Sequence, residues 1–169
     1  MVLIIECIIL CGLFTLMVLP PLYKNPLNCI MSYPTAIRQR VESLPQYQPA
    51  IRKYRTKHIA TKMLFISLCI IFMAIIAWFS GSRTFIEAFA HIFILFFVVN
   101  IYDLLILDIW LFCHNKRVII PGTEDMVREY KNPIHHIRGA IIGTLIGLII
   151  ALASSGIIVL VNILVQLYT

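Results

Sequence analysis

Four runs of nearly unbroken apolar residues, at about 2–19, 63–80, 84–113 and 134–167, decide most of what this chain can fold into. A hydrocarbon core of about 30 Å takes about 20 residues of helix, and each run meets or approaches that length. Backbone polar groups inside hydrocarbon must be satisfied within the segment, so such runs become helices. Of the 169 residues 60% are hydrophobic and only 13% charged, about half the charge of a soluble domain. The expected fold is therefore all-α: one polytopic membrane domain, residues 1–169, with four transmembrane helices and a small cap of short amphipathic helices. The first run has neither a basic leader nor a small-residue cleavage site, so it is expected to stay as a span.

Charge sets the expected topology. Eight of the 14 Lys and Arg lie between Lys24 and Lys62, five lie between Lys116 and Arg138, and Arg83 stands alone in the short link after the second run. Basic residues mark cytoplasmic loops. Loops 22–60 and 114–133 are thus expected in the cytoplasm of a cell membrane, with both termini outside. The net charge of +6 reads as topology and attraction to anionic lipid headgroups, not as nucleic-acid binding. Within the first loop TAIRQRVESL places Ile37, Val41 and Leu44 on one face and Arg38 and Arg40 on the other, the pattern of a helix lying on the membrane surface.

Local signals punctuate the chain. Pro20-Pro21 should end the first helix and Gly81 the second. Thr84 with Glu87 reads as a capping box. Pro121-Gly122 makes a turn, after which Thr123 can cap a short helix carrying Glu124 and Asp125 in its first turn. Cys7, Cys11, Cys29, Cys69 and Cys113 form no C-x-x-C pair or zinc spacing, and read as small hydrophobes.

Chemistry concentrates on the third run, because ionisable groups in a span are costly and face an interior or a wet cavity. On α-helical geometry of about 100° per residue, Asp103 and Asp108 fall about 140° apart on either side of Asn100, while Glu87 and His91 lie on the opposite face. With Glu6 of the first run, Glu87 and His91 could form an ion path. Asn100, Asp103 and Asp108 need partners, and the following segment offers Glu124, Tyr130, His136 and Arg138, with Arg38 and Arg40 from the first loop. Asp103, Asp108, Glu124 and His136 could hold a divalent cation, or the same groups with the arginines could bind a phosphate or lipid headgroup. They could equally form an internal salt-bridge network. Whether the chain is an enzyme, an oligomeric ion transporter or channel, or a structural or accessory subunit stays open at this level. No H-E-x-x-H, phosphate-binding loop, dinucleotide fingerprint or nucleophile elbow is present.

The last run repeats small residues every fourth position, at Gly139, Gly143, Gly147, Ala151 and Ser155. Such a ridge admits close helix approach, either within the chain or between copies in a homo-oligomer. The segments SYPTAIRQRVESLPQY, NIYDLLILD and IPGTEDMVREY…HHIRG together resemble a group of small four-span prokaryotic membrane proteins of unassigned activity. The resemblance implies that Tyr33-Pro34, Asp103, Asp108, Pro121-Gly122-Thr123-Glu124, Tyr130 and His136 form one cytoplasm-facing unit.

Overall fold

The computed structural model describes residues 1–168, apart from the side chains of 53–60 and 168. The side chains of the basic run at 53–60 thus lie outside the described residues. Among the described residues every regular element is helical: α1 (Val2–Lys24), α2 (Thr35–Ser43), α3 (Gln48–Phe79), α4 (Phe85–Tyr102), the short α5 (Val127–Tyr130) and α6 (Ile134–Tyr168), joined by 3₁₀ turns. Four helices among the described residues are long and apolar enough to cross a membrane: Val2–Lys24, Thr61–Phe79, Phe85–His114 and Ile134–Leu167. Ile8, Leu16, Leu64, Ile86 and Ile141 turn their side chains outward. A protein in water rarely exposes contiguous apolar surface on this scale, whereas lipid solvates it.

The helix ends show where residue chemistry was decisive. At the end of α3 the Ser82 N–H bonds the Ala77 carbonyl at 3.0 Å and the Gly81 N–H bonds that of Trp78 at 3.2 Å. Gly81 sits at φ +93°, so this is a Schellman stop and the glycine is required. The capping box that opens α4 forms as expected: the Glu87 N–H donates to the Thr84 hydroxyl at 3.3 Å, and the Glu87 carboxylate accepts from the N–H groups of Thr84 and Arg83. Pro20 and Pro21 do not end α1, which continues to Lys24. Leu22 in that last turn is buried among the loop residues, and its packing outweighs the lost proline donors.

Contacts divide the chain into two compact units. The first comprises Met1–Leu10, Ala60–Asn100 and Ile141–Thr169, and the second Cys11–Ile59 and Ile101–Ala140. In the first unit Ala74, Ala77, Ala88, Ile92, Leu95, Ile150, Ala151 and Ile158 make the core. The small-residue ridge of α6 is used there within the chain. A Cβ added at Gly143 would stand 2.5 Å from the Asn100 side-chain oxygen, and one at Gly147 would collide with the Phe96 ring. Ser154 donates to the Ile70 carbonyl at 2.9 Å, tying α6 to α3. Gly139, at the start of the ridge, is exposed and has open space beside it.

The second unit packs both basic loops around aromatic rings. Tyr33, Phe112 and Tyr130 stand with centroids 4.9–6.2 Å apart, and Ile30, Ile37, Val41, Val118 and Ile120 close the core around them. Ile37 and Val41 are the apolar face foreseen for α2, here buried. The Tyr33 hydroxyl donates to the Val118 carbonyl at 2.8 Å and the Tyr47 hydroxyl to that of Pro121 at 3.1 Å. Irregular loop backbone thereby finds its partners in side chains.

Candidate functional site

The third span does not stay α-helical. After α4 ends at Tyr102, residues Asp103–Leu111 wind as a π-helix and Phe112–His114 as a 3₁₀ turn. The change of winding moves the site. In a π-helix the hydrogen-bond partner is the fifth residue along, so residues i and i+5 lie on the same side. Asp103 and Asp108 are five apart, and Cys113 follows after five more. The carboxylates expected on separate faces therefore fall on one side, while Cys113 lies beyond the π-helical stretch, in the 3₁₀ turn. Cys113 escaped the sequence reading because it was taken for a small hydrophobe. The spacing D-x4-D was visible, but it carries meaning only once the winding is known.

His136, near the start of α6, meets this stripe. Its Nδ1 lies 3.1 Å from Oδ1 of Asp108. The residue is 4% exposed, and the Phe112 ring packs edge-on against it at 4.9 Å. Cys113, 5% exposed, lies within electrostatic reach of the same imidazole, as Asp103 does of both Asp108 and His136. The second nitrogen, Nε2, is buried without a hydrogen-bond partner. Buried polar atoms are satisfied almost everywhere in proteins, so this one stands out. The Asp108 carboxylate, 29% exposed, opens the group to the surface.

The other expected members divide. Glu124 turns back to accept from the Gly122 N–H at 2.8 Å in its own turn. Thr123 does not cap: its buried hydroxyl donates to the Ile120 carbonyl at 2.7 Å and meets the Tyr130 hydroxyl at 2.8 Å. Tyr130 also accepts from the Ile120 N–H at 3.1 Å. Burial pushes the Tyr130 phenol above its ordinary pKa, and burial followed by the nearby Tyr130 does the same to Tyr33. Both phenols stay protonated, and both are occupied in holding backbone. The four groups Asp103, Asp108, Glu124 and His136 are thus not assembled as a cation cage. Among the described residues no three His, Cys, Asp or Glu side chains are placed to hold a metal ion.

Of the arginines, Arg40 pairs with Asp125 at 3.7 Å on the exposed surface. Arg38 is half-buried within electrostatic reach of His135, and Arg138 is exposed. His135 itself donates to the Ser32 carbonyl at 3.1 Å. Asn100 belongs to the first unit, where its amide donates to the Thr144 hydroxyl at 3.0 Å.

A second polar group lies in the first unit. His91 Nε2 meets the Glu6 carboxylate at 2.8 Å, and the other carboxylate oxygen accepts from the Ser80 hydroxyl. One acid thereby joins α1, α4 and the end of α3. Glu87 is not in this group, because its carboxylate is committed to the capping box. Ser80 had no signal in the sequence beyond its position at a helix end.

The chain matches no protein-family model, no curated protein and no solved structure, so its function is read from the chemistry of these groups.

Proposed function

We propose that this is an integral membrane protein that binds an anionic group, a phosphate or a lipid headgroup, beside Asp108 and His136. In this reading both basic loops are cytoplasmic and both termini are outside, following the positive-inside asymmetry. The observation that supports it is the buried, unpartnered Nε2 of His136. Asp108 fixes the ring from the Nδ1 side, which leaves Nε2 for an atom the protein does not supply. Arg38 and Arg138, in the same unit, give the surroundings positive charge, with Arg40 a weaker contributor because Asp125 offsets it.

The test is native mass spectrometry of the protein released from detergent after incubation with phosphatidylglycerol, wild type beside His136→Gln and Asp108→Asn. Wild type should retain lipid and both variants should retain at least about tenfold less, the worth of one charge-assisted hydrogen bond. Equal retention by variants with unchanged melting temperatures would overturn the reading.

A second reading, a small proton or ion transporter, is favoured by the Glu6–His91–Ser80 group. A carboxylate paired with a histidine inside candidate spans is the usual constituent of a proton relay. It predicts proton flux in liposomes that falls on Glu6→Gln; liposomes that stay tight would remove it.

A further inference from the structure

We propose that the group taken up here is an aminophosphate, a phosphate joined by a short chain to a primary ammonium, with the phosphate at His136 and the ammonium at Asp103. The inference rests on the ligand reading above and narrows its anionic group to one that brings its own cation. Three observations meet here. The π-helical register puts Asp103 and Asp108 on one side of the third span, about one turn apart. Asp108 is committed to the imidazole, its Oδ1 3.1 Å from Nδ1 of His136, and that ring is 4% exposed with its Nε2 unpartnered. Among the described residues no hydrogen bond or ion pair engages the Asp103 carboxylate, which is half-buried and keeps its oxygens accessible.

Charge decides what such a place can hold. Asp103, Asp108 and His136 belong to helices long and apolar enough to cross a membrane, where a carboxylate without a counter-charge is costly. Among the described residues no Lys or Arg pairs with either acid, and Arg40 goes to Asp125 instead. A phosphate alone would satisfy Nε2 but set its own negative charge beside two carboxylates. A cation alone would answer Asp103 but leave Nε2 buried without a partner. An aminophosphate does both. The imidazolium, held by Asp108, donates from Nε2 to a phosphate oxygen, and the ammonium donates to Asp103, each a charge-assisted bond. His136 stands at the start of the last span, and the ends of spanning helices are where lipid headgroups lie. The ligand chemistry is therefore that of an ethanolamine phosphate, borne by a lipid or free.

The experiment is native mass spectrometry of the full chain in detergent, offered equal amounts of phosphatidylethanolamine, phosphatidylglycerol and phosphatidylcholine with matched acyl chains. Phosphatidylglycerol has the phosphate and no ammonium. Phosphatidylcholine keeps the positive charge but has no N–H to donate. Wild type should retain phosphatidylethanolamine at least about tenfold over both, the worth of one further charge-assisted hydrogen bond. Asp103→Asn should bring phosphatidylethanolamine down to the level of phosphatidylglycerol without lowering the latter, and Asp103→Glu should keep the preference. His136→Gln should lower all three lipids alike, because the phosphate is common to them. Excess free phosphoethanolamine separates the sources: displacement of the lipid shows that the headgroup suffices, and persistence shows that the acyl chains are needed, the preference for ethanolamine supporting the inference in both cases.

Equal retention of the three lipids by wild type overturns the inference, as does a preference that survives in Asp103→Asn. The lipid series on wild type decides the matter even where the variant fails to fold. Phosphatidylglycerol retained by wild type and lost in His136→Gln, with no preference for phosphatidylethanolamine, would overturn this assignment alone and leave the binding reading standing. No difference between wild type and a folded His136→Gln with any of the lipids would take both down.

Discussion

The two units of this chain bury their residues by opposite means. The first brings helices together with Ala, Gly and Ser, and its backbone is satisfied almost wholly inside the helices. The second contains both long loops, and there Tyr33, Tyr47, Thr123 and Tyr130 reach out to irregular backbone. The difference teaches what limits each kind of packing. Between helices that already satisfy their own hydrogen bonds, the limiting quantity is side-chain volume. Around 3₁₀ turns and loops the limiting quantity is the number of donors and acceptors that can be paired. A substitution should therefore hurt the first unit through size and the second through polarity.

The sharpest test of that contrast is Gly147→Leu. A side chain there meets the Phe96 ring directly, so thermal unfolding in detergent should report a loss of about 3 kcal/mol, the upper end for overpacking. Gly139→Leu, with nothing within 4 Å of its added carbon, should change almost nothing. An equal effect at both positions would break the size argument. Next comes Tyr33→Phe, which keeps the ring and deletes the bond to the Val118 carbonyl. It should cost about 2 kcal/mol by leaving a buried acceptor unpaired, with hydrogen exchange rising around residues 116–120. A neutral result would mean that shape, not polarity, governs the second unit as well.

The helix-end signals were legible in the sequence because each is a local rule. Gly81 needs only its own positive φ, and Thr84 with Glu87 needs only a first turn. The apolar face of α2 likewise followed from spacing alone. The site was less legible. Reading Asp103 and Asp108 as α-helical separated them, because a wheel of fixed pitch cannot show a change of winding partway along a span. Glu124 and Tyr130 carried the right chemistry for a ligand site, but the PGTE turn and the Ile120 backbone claim them first. Pro20-Pro21 misled for a similar reason: a local rule about donors lost to the tertiary burial of Leu22.

Two smaller effects complete the contrast. Thr84→Ala removes half of the capping box and should lower stability by about 1 kcal/mol, a change seen in the melting temperature. Arg40→Ala breaks an exposed pair with Asp125 and should cost less than about 0.5 kcal/mol, vanishing in high salt. A larger effect at Arg40 would show that this surface pair holds the loops together.

The π-helical stretch makes the number of residues in the third span as consequential as their kind. Leu105 and Ile106 are exposed, and deleting either would leave the hydropathy of the segment nearly unchanged. The shortened helix could relax to the tighter α winding. Asp103 and Asp108 would then be four residues apart, a spacing that α winding keeps on one face, whereas relaxation at the present length would part them. Two versions of this protein differing by one outward-facing residue would look interchangeable to any comparison of composition or hydropathy, yet each would need its own winding to keep the two carboxylates in company.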